Sequence, residues 1–178
     1  MKKLEKKLKN EIVNSIQDFY LPKFNEIPNV GLFLEQVTKY VTQYLTPLTK
    51  TPITPSMISH YVKKKLIPSP IKKQYYREHI IYIIFIAIAK TVLPLEHLQT
   101  FIKIQKKTYD IEVAYKYFCS ELENVLFHVF GKKEKLDNVG FEDTDEKHML
   151  RNTIIAVVHK VYLEKCFEKI EECESIRL

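Results

Sequence analysis

The sequence predicts an all-α protein, on three observations. Only 3 of the 178 residues are glycine, and Leu, Lys and Glu, which favour helices, are abundant. Apolar residues recur at i, i+3 and i+4 in run after run. The eight prolines fall between those runs, where they end helices instead of interrupting them. A chain of this length, 46% hydrophobic and 28% charged, can bury a core as one domain with at most a small appendage.

Leu4, Leu8, Ile12, Ile16 and Phe19 share a helical spacing, which predicts an amphipathic N-terminal helix within 1–29, ended by Pro22. A second helix is expected at about 32–45, after Asn29 and Gly31. It puts Phe33, Val37, Tyr40, Val41 and Tyr44 on one face and stops at Thr46-Pro47. Thr54-Pro55 then supplies a capping hydroxyl and a proline at the first helical position, so a third helix starts there. Its stripe is Met57, Ile58, Tyr61, Val62 and Leu66, while Ser56, Ser59, His60, Lys63 and Lys64 face elsewhere. Pro68 and Pro70 exclude a helix in the next stretch, which reads as an extended loop or a short hairpin.

Ile80 to Ala89 is apolar at almost every position and suits a buried strand or a buried helix; length and context favour the helix. Pro94-Leu95-Glu96 opens another helix that runs to about Lys107, with Thr91 or a turn at Leu93 before it. Asp110 caps a longer one with Val113, Tyr117, Leu122, Val125, Leu126 and Val129 on a broad apolar face, and Gly131 closes it. After a charged loop, a last helix from about Asp145 to Glu174 aligns Leu150, Ile154, Val158, Val161, Tyr162, Cys166, Phe167 and Ile170.

The net charge of +6 is unevenly spread. Residues 46–77 hold Lys50, Lys63, Lys64, Lys65, Lys72, Lys73 and Arg77 without a single Asp or Glu, whereas 78–178 is net acidic. A carboxylate-free basic strip suits a polyanion, because lysines neutralise phosphates and release counterions. Its order also fits a winged helix-turn-helix: helix, tight turn, capped helix, basic proline-containing loop. In such a unit the second helix enters the major groove with its N-terminal side chains towards base edges. Thr54, Ser56, Met57, Ser59, His60, Lys63 and Lys64 are the candidates there, and Lys72, Lys73, Tyr75 and Arg77 are candidates for the DNA backbone. Tyr75 and Tyr76 read as one packed and one exposed ring, either of which could meet phosphate.

The stretch Ile53 to Ile102 resembles the DNA-binding half of MerR-type regulators. His60-Tyr61 and Leu66-Ile67-Pro68 match the end of the recognition helix, Lys73-Gln74-Tyr75 takes the wing position, Ile80, Ile83 and Ile86 the spaced apolar positions, and Leu95-Glu96 opens the following short helix. Thr-Pro-Ser-Met-Ile-Ser-His-Tyr-Val-Lys, residues 54–63, is similar to a bacterial family, the domain of unknown function numbered eighteen thirty-six. That resemblance implies a MerR-like winged helix-turn-helix at 30–107, flanked by the 1–29 helix and by a C-terminal long-helix module at 108–178 for dimerisation or effector sensing. Ser59, Lys65 and Lys73 replace the Arg, Gly and Arg of many MerR regulators. Lysine keeps the charge but lacks the bidentate fork, and Lys65 disfavours a left-handed helix end, so that turn should differ.

Lys63 to Lys65 also suits a solvated helix end. Cys166 and Cys173 share a helix face seven residues apart, too far to bridge, and with His159 they do not make a compact metal spacing. No nucleophile elbow, phosphate loop or His-Glu-x-x-His motif is present, so the expectation is a non-enzyme with no catalytic residues, metal or cofactor. With no signal peptide and no apolar run of membrane length, a cytoplasmic protein is expected. The expected partner is double-stranded DNA, bound by a homodimer that answers to a small-molecule or protein effector. The alternative is a protein-interaction adaptor that keeps the helix-turn-helix without using it on DNA.

Overall fold

The described residues of the computed structural model, 2–49, 51–140 and 144–175, form seven α-helices and one 3₁₀ turn, with side chains described at 6–49, 51–140 and 144–172. The helices are α1 (Lys2–Asn14), α2 (Leu34–Leu45), α3 (Pro55–Lys63), α4 (Arg77–Ala89), α5 (Leu95–Thr108), α6 (Ile111–Val129) and α7 (Asp145–Ser175); the 3₁₀ turn is Phe24–Glu26. The all-α expectation holds, with two isolated β-bridges added to it.

Several boundaries moved for local reasons. α1 ends at Asn14 and not near Pro22, because the Ser15 hydroxyl turns back onto the Ile12 carbonyl at 2.7 Å and tight turns follow. Ile16 and Phe19 still reach the core from those turns, while the Leu4 side chain lies outside the described residues. α2 starts at Leu34 because Leu32 is drawn into backbone pairing with Tyr75, and Phe33, expected on the buried face, is exposed. Pro94 is the N-cap of α5; Thr91 instead donates to the Ile88 carbonyl at 2.8 Å and finishes α4.

α4 is the centre of the molecule. Ten of its thirteen residues are buried, which is why no periodicity marks it in the sequence. α2 and α7 pack against it, α1 and α6 pack on α7, and one apolar core joins residues from all seven helices. On α6 the buried face runs through Tyr115, Phe118, Leu122, Val125 and Leu126, so Val113 (55% exposed) and Tyr117 fall outside it. On α7 the core side is Ile154, Val157, Val158 and Val161; Phe167 and Ile170 point away from it. At 1.5 Å per residue the 31 residues of α7 extend about 46 Å. Among the described residues no helix is long and apolar enough to cross a membrane.

Candidate nucleic-acid interface

α3 is set by its cap. The Thr54 hydroxyl accepts from Met57 N at 3.2 Å, and Pro55 follows at the first helical position. Ile58, Tyr61 and Leu66 anchor the helix in the core, which leaves Ser56, Ser59, His60, Lys63 and Lys64 exposed and Thr54 and Met57 half-buried.

The helix ends in an unexpected way. Lys65 adopts a left-handed backbone (φ 57), with Lys65 N bonded to the Val62 carbonyl at 2.9 Å and Leu66 N to the Tyr61 carbonyl at 3.0 Å. This is the Schellman ending usually built on glycine. The expectation that Lys65 would alter the turn is therefore corrected: burial of Leu66 and Ile67 immediately beyond holds the geometry, and lysine tolerates the strain.

The proline-containing stretch forms a two-residue hairpin. Ile71 and Gln74 exchange backbone hydrogen bonds of 3.0 and 2.9 Å, with Lys72 (φ 49) and Lys73 (φ 65) at the turn, both left-handed. That pattern is a type I′ turn, normally made by Asn-Gly, and it displays both lysines at an exposed tip. Next along the strand, Tyr75 and Leu32 exchange bonds of 2.8 and 2.9 Å, which fastens the hairpin to the segment before α2. Gly31 is needed there, since a Cβ would lie 2.5 Å from Gln74 Oε1 and 2.8 Å from Gln74 Cβ. Buried His79 closes the loop: its Nδ1 accepts from Tyr76 N at 3.1 Å, so Nε2 carries the proton and faces the Ser69 carbonyl at 3.3 Å.

Two expected contacts are used by the fold itself. Tyr75 is 4% exposed, and burial raises its phenol above the ordinary value, so its ring is not available to phosphate; Tyr76 is the half-exposed one of the pair. Arg77 donates through Nε to the Ile27 carbonyl at 2.9 Å, and its guanidinium lies 4.8 Å from the Phe24 ring centre. It ties the N-terminal strap, residues 15–33 between α1 and α2, to α4 instead of accompanying Lys72 and Lys73.

One residue escaped the sequence reading. Lys90, at the end of the apolar run, reaches back to α3, with Nζ 3.3 Å from Met57 Sδ and 5.7 Å from the Tyr61 ring centre. It borders an open cleft of about 470 Å³ lined by Ser56, Met57, His60, Tyr61 and the turn at Leu93 to Leu95. The hydroxyl of Tyr61 is buried there without a hydrogen-bond partner among the described residues. The signal in the sequence was a lone cation closing ten apolar residues, but nothing local links it to α3.

Electrostatically the strip stands apart. Among the described residues no ion pair involves Lys63, Lys64, Lys65, Lys72 or Lys73; Lys50 lies outside them. The C-terminal half is organised the other way. Glu121, fully buried on α6, sits 3.3 Å from Arg151 Nε, out of line for a hydrogen bond; burial raises its carboxyl above the usual range although Arg151 opposes this. Burial likewise pushes the Cys119 thiol up to about 12, which leaves it protonated and inert at neutral pH. Cys166 is half-buried, and the Cys173 side chain lies outside the described residues.

With the exposed helix, the left-handed lysines and the hairpin in view, the module is a small helical unit with a basic hairpin. Residues 22–118, more than half of the chain, match the family model "Domain of unknown function (DUF1836)", and the chain belongs to that family. The match starts inside the N-terminal strap and ends within α6, so α1 and α7 flank it. No curated protein and no solved structure matches the chain.

Proposed function

We propose that the chain is a double-stranded-DNA-binding regulator with a MerR-like winged helix-turn-helix, in which α3 enters the major groove and the 71–74 hairpin is the wing. One observation carries the reading: five exposed lysines have no acidic partner among the described residues, and three of them keep left-handed backbones that glycine or asparagine would hold at less cost. Ser56, Ser59 and His60 are the side chains free to approach base edges, while Lys63, Lys64, Lys72 and Lys73, joined by Lys90, neutralise phosphate. The mechanism is occupancy, with no chemical step.

Two half-sites require two copies. Met149, Leu163, Phe167 and Ile170 are 44%, 55%, 60% and 42% exposed on the side of α7 away from the core, and their spacing is heptad-like. This stripe supports pairing through α7.

The test is fluorescence titration of the purified chain against mixed genomic duplex at several salt concentrations. Binding that weakens steeply with salt, with a slope of about 0.9 for each phosphate neutralised, supports the proposal. Absence of binding to any duplex at about 50 mM salt, where phosphate contacts are strong, rejects it. The second reading, a protein-interaction adaptor, is favoured by one feature: Glu164, Glu168 and Glu171 line a cleft of about 240 Å³ with Leu48, Thr49 and Thr51, so the acidic half of α7 borders the turn that leads into α3. In that case the lysine surface meets an acidic protein, and a co-purifying partner is lost on charge reversal while no duplex is bound.

A further inference from the structure

We infer that the junction of α4, α5, α6 and α7 is a binding site for a small uncharged aromatic molecule. Two adjoining chambers lie there, of about 50 and 60 Å³. Phe101, Gln105, Ala114 and Leu150, from α5, α6 and α7, line both; α4 adds to the inner one and the start of α7 to the outer one. Phe85 forms the floor of the inner chamber, in ring contact with Phe101 at 5.5 Å and Phe118 at 5.6 Å.

Glu146 and Lys147 border only the outer chamber, where Lys147 Nζ lies 5.2 Å from the Tyr117 ring centre. The chemistry of the inner occupant follows from Gln105, the one polar residue common to both. Gln105 accepts from the Tyr82 hydroxyl at 2.9 Å through Oε1 and donates to the Tyr109 carbonyl at 2.9 Å through Nε2. Both ends of its amide are engaged. A ligand that needs hydrogen bonds would strand its own groups in the inner chamber, whereas an aromatic hydrocarbon loses nothing and gains ring contacts. The apolar walls give water few partners, and an apolar cavity of about 150 Å³ binds benzene. Together the chambers hold about 110 Å³, which sets benzene as the upper limit for the occupant. A guest of about six non-hydrogen atoms fits.

The site is also placed to be felt elsewhere. α4 leads directly back to the hairpin through Tyr76 and His79, and the Tyr109 hydroxyl touches Thr144 at 3.1 Å, next to the start of α7. Occupancy would act on both halves of the molecule. Binding itself does not rest on the DNA-binding proposal and is tested without DNA.

The full chain is titrated with benzene and benzoate while its unfolding temperature and its amide NMR spectrum are followed. Benzene at tenfold excess over Kd is expected to raise Tm by about 3–6 °C. The amides of Phe101, Gln105, Ala114 and Leu150 should move saturably, and benzoate should leave them in place. Ala114→Leu, which fills the shared wall, is expected to abolish the Tm rise. If that variant fails to fold, the NMR map on the wild-type chain decides alone. Unsaturable shifts, or saturable shifts that map to another surface, overturn the inference, as does benzoate binding equal to that of benzene.

Discussion

Lysine is used in two opposite ways along this chain. On α6 and α7, Lys116 pairs with Glu112 at 2.7 Å and Lys169 with Glu172 at 2.6 Å, Lys160 pairs with Glu164, and each partner lies three or four residues away. These are ordinary helix-surface pairs, worth a few tenths of a kcal/mol. Between 46 and 77 no carboxylate is present, and Lys65, Lys72 and Lys73 also hold backbones that cost an L-residue roughly 1–2 kcal/mol each. Side chains that serve only solubility do not need such positions. The difference teaches that the first set of cations is engaged by the helix itself, whereas the second has no acidic partner among the described residues and is open to the proposed phosphate contacts.

The largest effect should come from reversing the unpaired set. Lys63→Glu combined with Lys72→Glu and Lys73→Glu removes three of the proposed phosphate contacts and puts a repulsion in the place of each. Affinity for duplex DNA is expected to fall by at least about a hundredfold at moderate salt, with the salt slope lower by about three. Circular dichroism should be unchanged, because all three side chains are exposed. Unaltered affinity would end the contrast between the two lysine sets.

Most of the helices were legible in the sequence because proline, Thr54, Asp110 and Gly131 mark their ends with local chemistry. What was not legible depended on contacts between distant segments. The intrinsic reluctance of lysine to turn left-handed argues against the observed ending at Lys65, but the burial of Leu66 and Ile67 outweighs a cost of that size. Tyr75 and Tyr76 alternate faces as any extended pair must, and only the pairing with Leu32 decides which of them is buried. On α7 both faces carry apolar residues, so spacing alone could not separate the core side at Ile154 and Val158 from the outward side at Phe167 and Ile170. Lys90 belongs to the basic surface only through a fold that returns the end of α4 to α3.

The strain half of the comparison is tested by Lys72→Asn with Lys73→Gly, which installs the residues a type I′ turn prefers. Stability in urea should rise by about 1 kcal/mol, and the salt slope of DNA binding should drop by about two. A loss of stability would mean that the lysines at the turn are held by interactions other than the backbone geometry indicates.

The C-terminal half makes its own prediction through Glu121. Its carboxyl is raised in the folded state, so the folded protein binds a proton more tightly than the unfolded chain does. Stability therefore falls as pH rises from about 4.3, the ordinary glutamate value, through the raised one. Glu121→Gln should flatten that part of the pH profile in thermal unfolding. Arg151 stays partnered in this variant, since it also donates to the Asp137 carbonyl at 3.0 Å. A profile that keeps the wild-type slope would assign the pH dependence to another group.

The smallest effect belongs to the paired lysines. Lys160→Ala removes one i,i+4 contact with Glu164 on a half-exposed helix face, and its cost should stay within about 0.5 kcal/mol. Because Lys160 is already neutralised by its neighbour, it contributes little field at the basic surface, so DNA affinity and salt slope should both match wild type. A salt slope lower by about one in this variant would mean that Lys160 also contacts phosphate. In that case the division between cations spent on the helix and cations turned outward would have to be redrawn to include α7.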